Sequence, residues 1–223
     1  MLKKYLPKII LTSVLVLLPI VFGLIVWNKL PDRIATHFGP SGEADGWSSK
    51  AFAVFGTPLI MLAGHVLCAF ISMLDPKRRN FDGKAFGLVL WIMPVMSIIM
   101  SGVVLGKALG MAINITTVIL IAIGIMFILL GNYLPKVGQN YTVGIKVPWA
   151  LNDPENWTAT HRFGGKVFMI TGVLSIAVAF LSNVSSAFIW AYFVIDMIAA
   201  SLPAIYSYLY YRKHGAAEDE TEE

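Results

Sequence analysis

Three side chains that could bind a cation or a polar ligand lie close together in a hydrophilic segment near the N-terminus. They are His37, Glu43 and Asp45, and Trp47 follows them. Imidazole and carboxylate groups bind divalent metals, but the spacing of these three follows no metal-binding motif, so no metal site and no cofactor is predicted. We treat the four residues as candidates for ligand contact. The alternative is an ordered loop in which Trp47 is an anchor at a membrane interface.

A second histidine, His161, invites a catalytic or proton-carrying role because imidazole titrates near neutral pH. The alternative is a histidine on a helix face that is hydrogen-bonded to a neighbouring backbone group. The sequence contains no nucleophile or paired acid at a recognisable spacing and no HExxH or GxSxG motif. We therefore predict that the protein is not an enzyme.

One carboxylate, Asp196, lies about ten residues into a long apolar stretch near the C-terminus. A carboxylate within a membrane is costly, so it is usually paired, protonated or functional. Asp196 is therefore a candidate functional residue. His65 and Cys68 share a helix face in another apolar stretch, but two ligands do not make a metal site, and packing is the better interpretation.

The elements that position these residues follow from the composition. Hydrophobic residues make up 57% of the 223 residues and charged residues only 13%, against roughly 25% in ordinary soluble domains. Lys and Arg occur in short groups between apolar runs, which excludes a nucleic-acid-binding surface. Crossing a bilayer takes about 20 apolar residues as a helix. Six runs are long enough or nearly so: 9–27, 51–74, 85–106, 108–131, 167–182 and 187–211.

The sequence therefore predicts an all-α integral membrane protein, a bundle of about six transmembrane helices in a multi-pass cell-membrane arrangement. The positive-inside rule gives the orientation. With a cytoplasmic N-terminus, 13 of the 17 Lys and Arg residues lie inside, and only Lys29, Arg33, Lys50 and Lys107 lie outside. Both termini are thus predicted to be cytoplasmic (N-in, C-in). Segment 29–50 becomes an extracellular loop and segment 132–166 a cytoplasmic loop.

The second half of the cytoplasmic loop contains the signals of a helix start. Asp153 is a good N-cap, Pro154 suits the first helical position, and Glu155 favours the positive end of the helix dipole. A helix beginning there would place Trp157, His161 and a glycine, Gly164 or Gly165, on one face and could continue into the fifth span. In the first half, Gly and Pro residues between Gly131 and Trp149 exclude a continuous helix.

Both hydrophilic segments resemble known families. Leu30-Pro31, Thr36-His37-Phe38, Gly42, Asp45-Gly46-Trp47 and Lys50 are similar to a short domain of unknown function that precedes SdpI-type domains. The second motif resembles the SdpI family signature, and its residues are Gly131-Asn132, Asn140, Val143-Gly144-Ile145-Lys146, Pro148-Trp149, Asn156-Trp157, Thr160-His161-Arg162 and Gly165-Lys166. One departure concerns charge geometry: Lys146 and Val147 stand where the family commonly has Arg and Thr, and Lys lacks the planar bidentate fork of Arg.

The resemblance implies a membrane immunity protein that protects the cell from a secreted peptide toxin. It also implies a signalling role in which a cytosolic transcriptional repressor is held at the membrane. The expected partners are thus an extracellular peptide toxin, this repressor and the lipid bilayer. The residues we consider candidates for binding are His37, Glu43, Asp45, Trp47, Asn132, Lys146, Trp149, Trp157, His161, Arg162 and Asp196.

The predicted organisation is a two-span module (1–80), a four-span module (81–212) and a disordered acidic tail (213–223). Two other functions stay open at this stage. A small-molecule or ion transporter, or an intramembrane enzyme, could use Asp196 and His161 as proton carriers. An envelope scaffold without a ligand would need the two motifs only for folding.

Overall fold

The computed structural model of the protein describes residues 2–77, 83–183 and 185–219. Arg78 and Arg79, which contribute to the predicted orientation, and the tail residues 220–223 lie outside this range. The element order is α1 (Leu2–Ile25), β1 (Arg33–Phe38), β2 (Ala44–Ser49), α2 (Thr57–Leu74), α3 (Gly83–Ala108), α4 (Ile115–Tyr133), α5 (Pro148–Asn152), α6 (Pro154–Leu181) and α7 (Ala187–Asp219). A π-helical segment, Phe52–Gly56, leads directly into α2.

The prediction of six membrane spans is confirmed. The described part of the chain contains six helices that are long and apolar enough to cross a membrane: Tyr5–Ile25, Phe52–Leu74, Phe86–Ala108, Ile115–Lys136, Pro154–Leu181 and Ala187–His214. The fifth is longer than its apolar run of 167–182 because α6 begins at Pro154, as the capping signals predict. Helix α7 also continues to Asp219, so the predicted disordered tail is helical over its described part.

Local side chains fix where the helices begin. The Asp153 carboxylate accepts a hydrogen bond from the Glu155 backbone N–H at 2.7 Å, which confirms the predicted N-cap of α6. The Ser49 hydroxyl accepts from the Phe52 N–H at 3.2 Å, at the start of the second span. The Asn114 side chain accepts from the Thr117 N–H at 3.1 Å and caps α4 in the same way.

The chain divides into two compact units. The first comprises residues 1–73 and 86–122. Helix α3 belongs there because its Ser97 hydroxyl donates to the Val16 carbonyl of α1 at 2.8 Å, and Phe86 contacts the Tyr5 ring. Its buried apolar cluster consists of Leu30, Ile34, Ala53, Val54, Val104 and Leu105.

Within the first unit, segment 29–50, which was predicted as an extracellular loop, contains a β-hairpin. Strands β1 and β2 pair antiparallel, with Ala35 opposite Trp47 and His37 opposite Gly46. The register shifts on both sides of His37, so the strands are irregular there. The side chain of Ile34 is buried in the cluster, whereas alternate residues of β2 are exposed. A two-stranded hairpin alone is marginally stable, and Ile34 ties this one to the helices.

The second unit comprises residues 74–85 and 123–223. Its helices α4 and α6 approach closely at Gly131 and Gly165, where a Cβ on either glycine would lie 2.6 Å from the carbonyl oxygen of the other. Only glycine permits that distance between two helix backbones. Helices α6 and α7 are joined by Asn156, whose side-chain amide donates to the Ser207 carbonyl at 3.0 Å. The Ser207 hydroxyl returns a bond to Asn156 Oδ1 at 2.6 Å.

Candidate functional site

The hairpin presents its polar side chains outward. His37 Nδ1 and Asp45 Oδ1 are 2.5 Å apart, and the two side chains are 76% and 47% exposed. Trp47 is 52% exposed, and the Glu43 carboxylate lies against Gly39. Three of these side chains carry or can carry charge, yet among the described residues no group of three or more His, Cys, Asp or Glu side chains is placed to hold a metal ion. The hairpin therefore offers one exposed acid–imidazole pair beside an exposed indole.

The segment between α4 and α6 is organised very differently, around the buried side chain of Asn140. Its amide group donates to the carbonyls of Gly138 and Val143 at 2.8 and 2.9 Å. Its Oδ1 accepts from the backbone N–H groups of Thr142 and Val143 at 2.8 and 2.7 Å. Asn140 thus replaces the hydrogen bonds of regular secondary structure in a segment that Gly and Pro keep from being helical.

Asp75, a carboxylate that the sequence analysis missed, is hydrogen-bonded to the segment between α4 and α6 although it lies far away in sequence. It follows α2, is 3% exposed, and accepts from the Tyr141 N–H at 2.8 Å and the Thr142 hydroxyl at 2.6 Å. Its other oxygen accepts from the Lys77 N–H at 2.8 Å. Hydrogen bonds to an ionised acceptor are roughly twice as strong as neutral ones. The Asp75-Pro76 pair at the end of a span was the available signal, but its partners are distant in sequence.

Lys77 extends this attachment to α5. Its ammonium group donates to Gln139 Oε1 at 2.6 Å and lies 5.3 Å from the centre of the Tyr141 ring. The Gln139 amide in turn donates to the carbonyls of Ala150 and Leu151 at 3.1 and 2.9 Å. Asp75 and Lys77, which lie just after α2, therefore fix both the middle and the end of the segment.

His161 lies at the centre of the second unit and is 1% exposed. Its Nε2 accepts a hydrogen bond from the Ile145 N–H at 3.0 Å, which assigns the proton to Nδ1. Nδ1 donates to the Trp157 carbonyl at 2.7 Å. Both ring nitrogens of a neutral imidazole are thus occupied by backbone groups, and neither is available for a substrate proton or a metal. The backbone-bonded alternative given for His161 is the one that the structure shows.

Trp157 and Gly144 complete this arrangement. The Trp157 ring stacks on the His161 ring at 3.9 Å, and its indole N–H donates to the Val137 carbonyl at 2.8 Å. Gly144 has φ of +127°, and a Cβ there would lie only 2.3 Å from His161 Nε2. The predicted face of Trp157, His161, Gly164 and Gly165 is confirmed, since all four are buried. Its role is to attach the segment to α6.

The remaining candidates are scattered and do not join these groups. Asn132, Lys146 and Arg162 are exposed. The Lys146 ammonium group donates to the Thr142 carbonyl at 3.1 Å. Its hydrogen bond is therefore to a backbone group four residues away and not to a carboxylate. Trp149 is half-buried with its ring 5.3 Å from that of Tyr208. Asp196 is half-buried in α7, and the described residues include no hydrogen-bond or ion-pair partner for it.

The motif-bearing parts of both units match known families. Residues 136–207 match the SdpI/YfhL protein family. Residues 14–62 match DUF1648, a domain of unknown function, so the predicted order of the two domains is confirmed. No curated protein and no solved structure matches the chain. The SdpI/YfhL match begins at Lys136, shortly before the turn that Asn140 and Asp75 organise, and ends at Ser207, the partner of Asn156.

Proposed function

We propose that this multi-pass membrane protein is an immunity protein that protects its cell from a secreted peptide toxin. The match of residues 136–207 to the SdpI/YfhL family supports this function, because the resemblance to that family implies immunity. The observation that carries the proposal is the exposure of the hairpin: Trp47 and the His37–Asp45 pair are the sequence-predicted candidates that are both exposed and grouped. Aromatic side chains that are exposed on a fixed backbone are typical anchors of protein recognition.

The recognition step follows from the predicted orientation, in which the hairpin is extracellular. A toxin peptide that approaches the membrane would meet Trp47 as an apolar contact and the His37–Asp45 pair as a polar one. Around His37 the register of the two strands shifts, so their hydrogen-bond pairing is irregular at this residue. Bulges are frequent where a strand re-aims a side chain toward a ligand.

Toxin survival tests the proposal directly. The protein is expressed in a sensitive Gram-positive strain that is exposed to a membrane-active sporulation-delaying peptide. Wild type is expected to protect, and Trp47→Ala and His37→Ala are expected to reduce survival at least tenfold at equal membrane abundance. Lys107→Ala, an exposed change on another segment of the first unit, is the matched control and is expected to protect fully. Wild type that fails to protect at normal abundance would contradict the proposal for this toxin.

The relay to a cytosolic repressor is a second part of the proposal. The segment after α4 and the first half of α6 carry exposed cations (Lys136, Lys146, Arg162 and Lys166), which would be available to such a partner if both termini are cytoplasmic. Because relay requires two states of the bundle with different affinities, toxin would have to change partner binding. Charge reversal at Lys146 and Arg162 is expected to abolish toxin-dependent recruitment of the repressor to membranes. Unchanged recruitment would remove the relay and leave immunity in place.

A transporter is the second candidate, and one observation favours it. Asp196 lies within a predicted span without a hydrogen-bond partner among the described residues, and such carboxylates often carry ions or protons. His161 does not support this function, because both its nitrogens are bonded to the backbone. In the survival assay, loss of protection by Asp196→Asn with intact protection by the hairpin variants would favour the transporter.

A further inference from the structure

A cleft of about 660 Å³ opens between α5, the start of α6 and the last turns of α7. It belongs entirely to the second unit and contains none of the hairpin residues on which the proposed function rests. Its volume is within the range of about 300–1,000 Å³ that is typical of small-ligand sites. Trp149, Tyr210 and Tyr211 contribute aromatic rings, and Asp153 and Glu155 contribute carboxylates.

The charges of the cleft favour a cation over an anion. The described residues that line it include two carboxylates and neither a lysine nor an arginine. The N-terminus of α6 alone would attract an anion, since a helix start carries about half a positive charge. Here Asp153 already accepts from the first turn and Glu155 follows it, so the local carboxylate charge exceeds that of the dipole. Arg212 follows the lining residue Tyr211 in sequence, but it does not line the cleft, and its guanidinium donates to the Tyr208 hydroxyl at 3.5 Å.

The aromatic side chains add a second preference for a cation. Ring faces attract ammonium and guanidinium groups when they lie within about 6 Å, and the attraction increases when water is excluded. Tyr211 is 49% exposed, and the Tyr210 ring stacks on His214 at 4.1 Å. Three rings beside two carboxylates are the chemistry that recognises Lys and Arg side chains.

The volume and the charge of the cleft indicate what carries the cation. A peptide brings basic side chains. A lipid ammonium group brings a phosphate, which Asp153 and Glu155 would repel. The volume of the cleft also exceeds what a single ammonium group needs.

We propose that this cleft binds a basic peptide segment, with a Lys or Arg side chain placed among Trp149, Tyr210 and Tyr211 and its charge paired with Asp153 and Glu155. The site stands independently of the toxin and of the hairpin. In the predicted orientation it faces the cytoplasm, where a basic segment of a soluble protein would reach it.

Calorimetric titration of the full-length protein in dodecyl maltoside tests the site with a tri-arginine peptide amide as the probe. We expect the double variant Asp153→Asn/Glu155→Gln to bind the probe at least tenfold more weakly than wild type. Asn at position 153 retains the N-cap, so α6 is preserved and the change is electrostatic. The control Asp32→Asn removes an exposed carboxylate of the first unit and is expected to bind like wild type. Equal weakening in the double variant and in the control would overturn the site.

Two further arms separate the cleft from simpler explanations. Tyr211→Leu is expected to weaken binding about threefold or more, and unchanged affinity would reduce the site to a charged patch and overturn the cleft. Dodecylphosphocholine, which carries a lipid-like ammonium group, is expected not to displace the peptide at concentrations that leave the fold intact by circular dichroism. Displacement with comparable affinity would show a lipid head-group site and overturn the peptide assignment.

Discussion

The hairpin of the first unit and the Asn140 segment of the second unit use the same kinds of polar side chain in opposite ways. In the hairpin, His37 and Asp45 contact each other and are exposed. In the second unit, His161 and Asp75 are 1% and 3% exposed, and each is bonded to backbone groups distant in sequence. The first arrangement leaves polar groups available to a ligand, whereas the second uses them to hold the backbone.

Residue type alone therefore does not identify a site in this protein. The sequence places Trp157 and His161 on one helix face and His161 invites a chemical role, yet every polar atom of both rings has a backbone partner. Buried polar groups that are fully satisfied make a segment rigid and specify its conformation. Variants of paired residues in the two regions can therefore separate structural from recognition roles.

The largest expected effect is at Gly144. Alanine there would combine the strain of φ +127° with a Cβ placed 2.3 Å from His161 Nε2. We expect Gly144→Ala to destabilise the protein by about 3 kcal/mol or more, measured as thermal unfolding in detergent. Gly110→Ala is the matched control, because Gly110 also has a positive φ, +84°, but an added Cβ meets nothing within 4 Å. Its cost is expected to be about 1 kcal/mol. Equal costs would show that His161 packing is unimportant.

The two histidines give the second comparison. His161→Ala leaves the Ile145 N–H without its acceptor and opens a cavity beside Trp157, so we expect a loss of about 2–4 kcal/mol in stability. His37→Ala removes an exposed side chain, and its effect on stability is expected to be within about 0.5 kcal/mol. In the toxin assay, with membrane abundance matched, we expect His37→Ala to reduce survival more than His161→Ala does. If His161→Ala proved as stable as wild type, the imidazole of His161 would not be needed for the fold, and a chemical role for it would be open again.

Most of the helical framework could be predicted from the sequence, because it depends on local signals. Apolar runs define the six spans, and Asp153-Pro154-Glu155 defines where α6 begins. The hairpin was missed because β2 contains Gly, Asp and Ser, which are poor strand formers, and because the register shifts at His37 obscure the alternation of β1.

The candidate site could be predicted only in part. The Trp157–His161 face follows from helix periodicity, and the structure confirms it. The bonds that decide what His161 does come from Ile145, in a segment without regular structure, and no periodic pattern reports them. Asp75 was missed for a similar reason: its bond to Thr142 joins residues 67 positions apart and forms only when the fold is complete.

The two aspartates give the smallest effect and the sharpest test of this argument. In Asp75→Asn one side-chain oxygen remains as an acceptor, but the other is replaced by an amide N–H₂ group, which cannot accept a hydrogen bond. That group would face either the Lys77 N–H or the Tyr141 and Thr142 donors, which would lose their acceptor. We expect a loss of about 1.5–3 kcal/mol, detected as a lower unfolding temperature and faster proteolysis of the segment between α4 and α5. Asp45→Asn removes an exposed pair and is expected to cost at most about 1 kcal/mol, and less at high salt. If Asp45→Asn proved as costly as Asp75→Asn, the hairpin pair would be structural, and the case for toxin recognition by His37 and Asp45 would lose its basis.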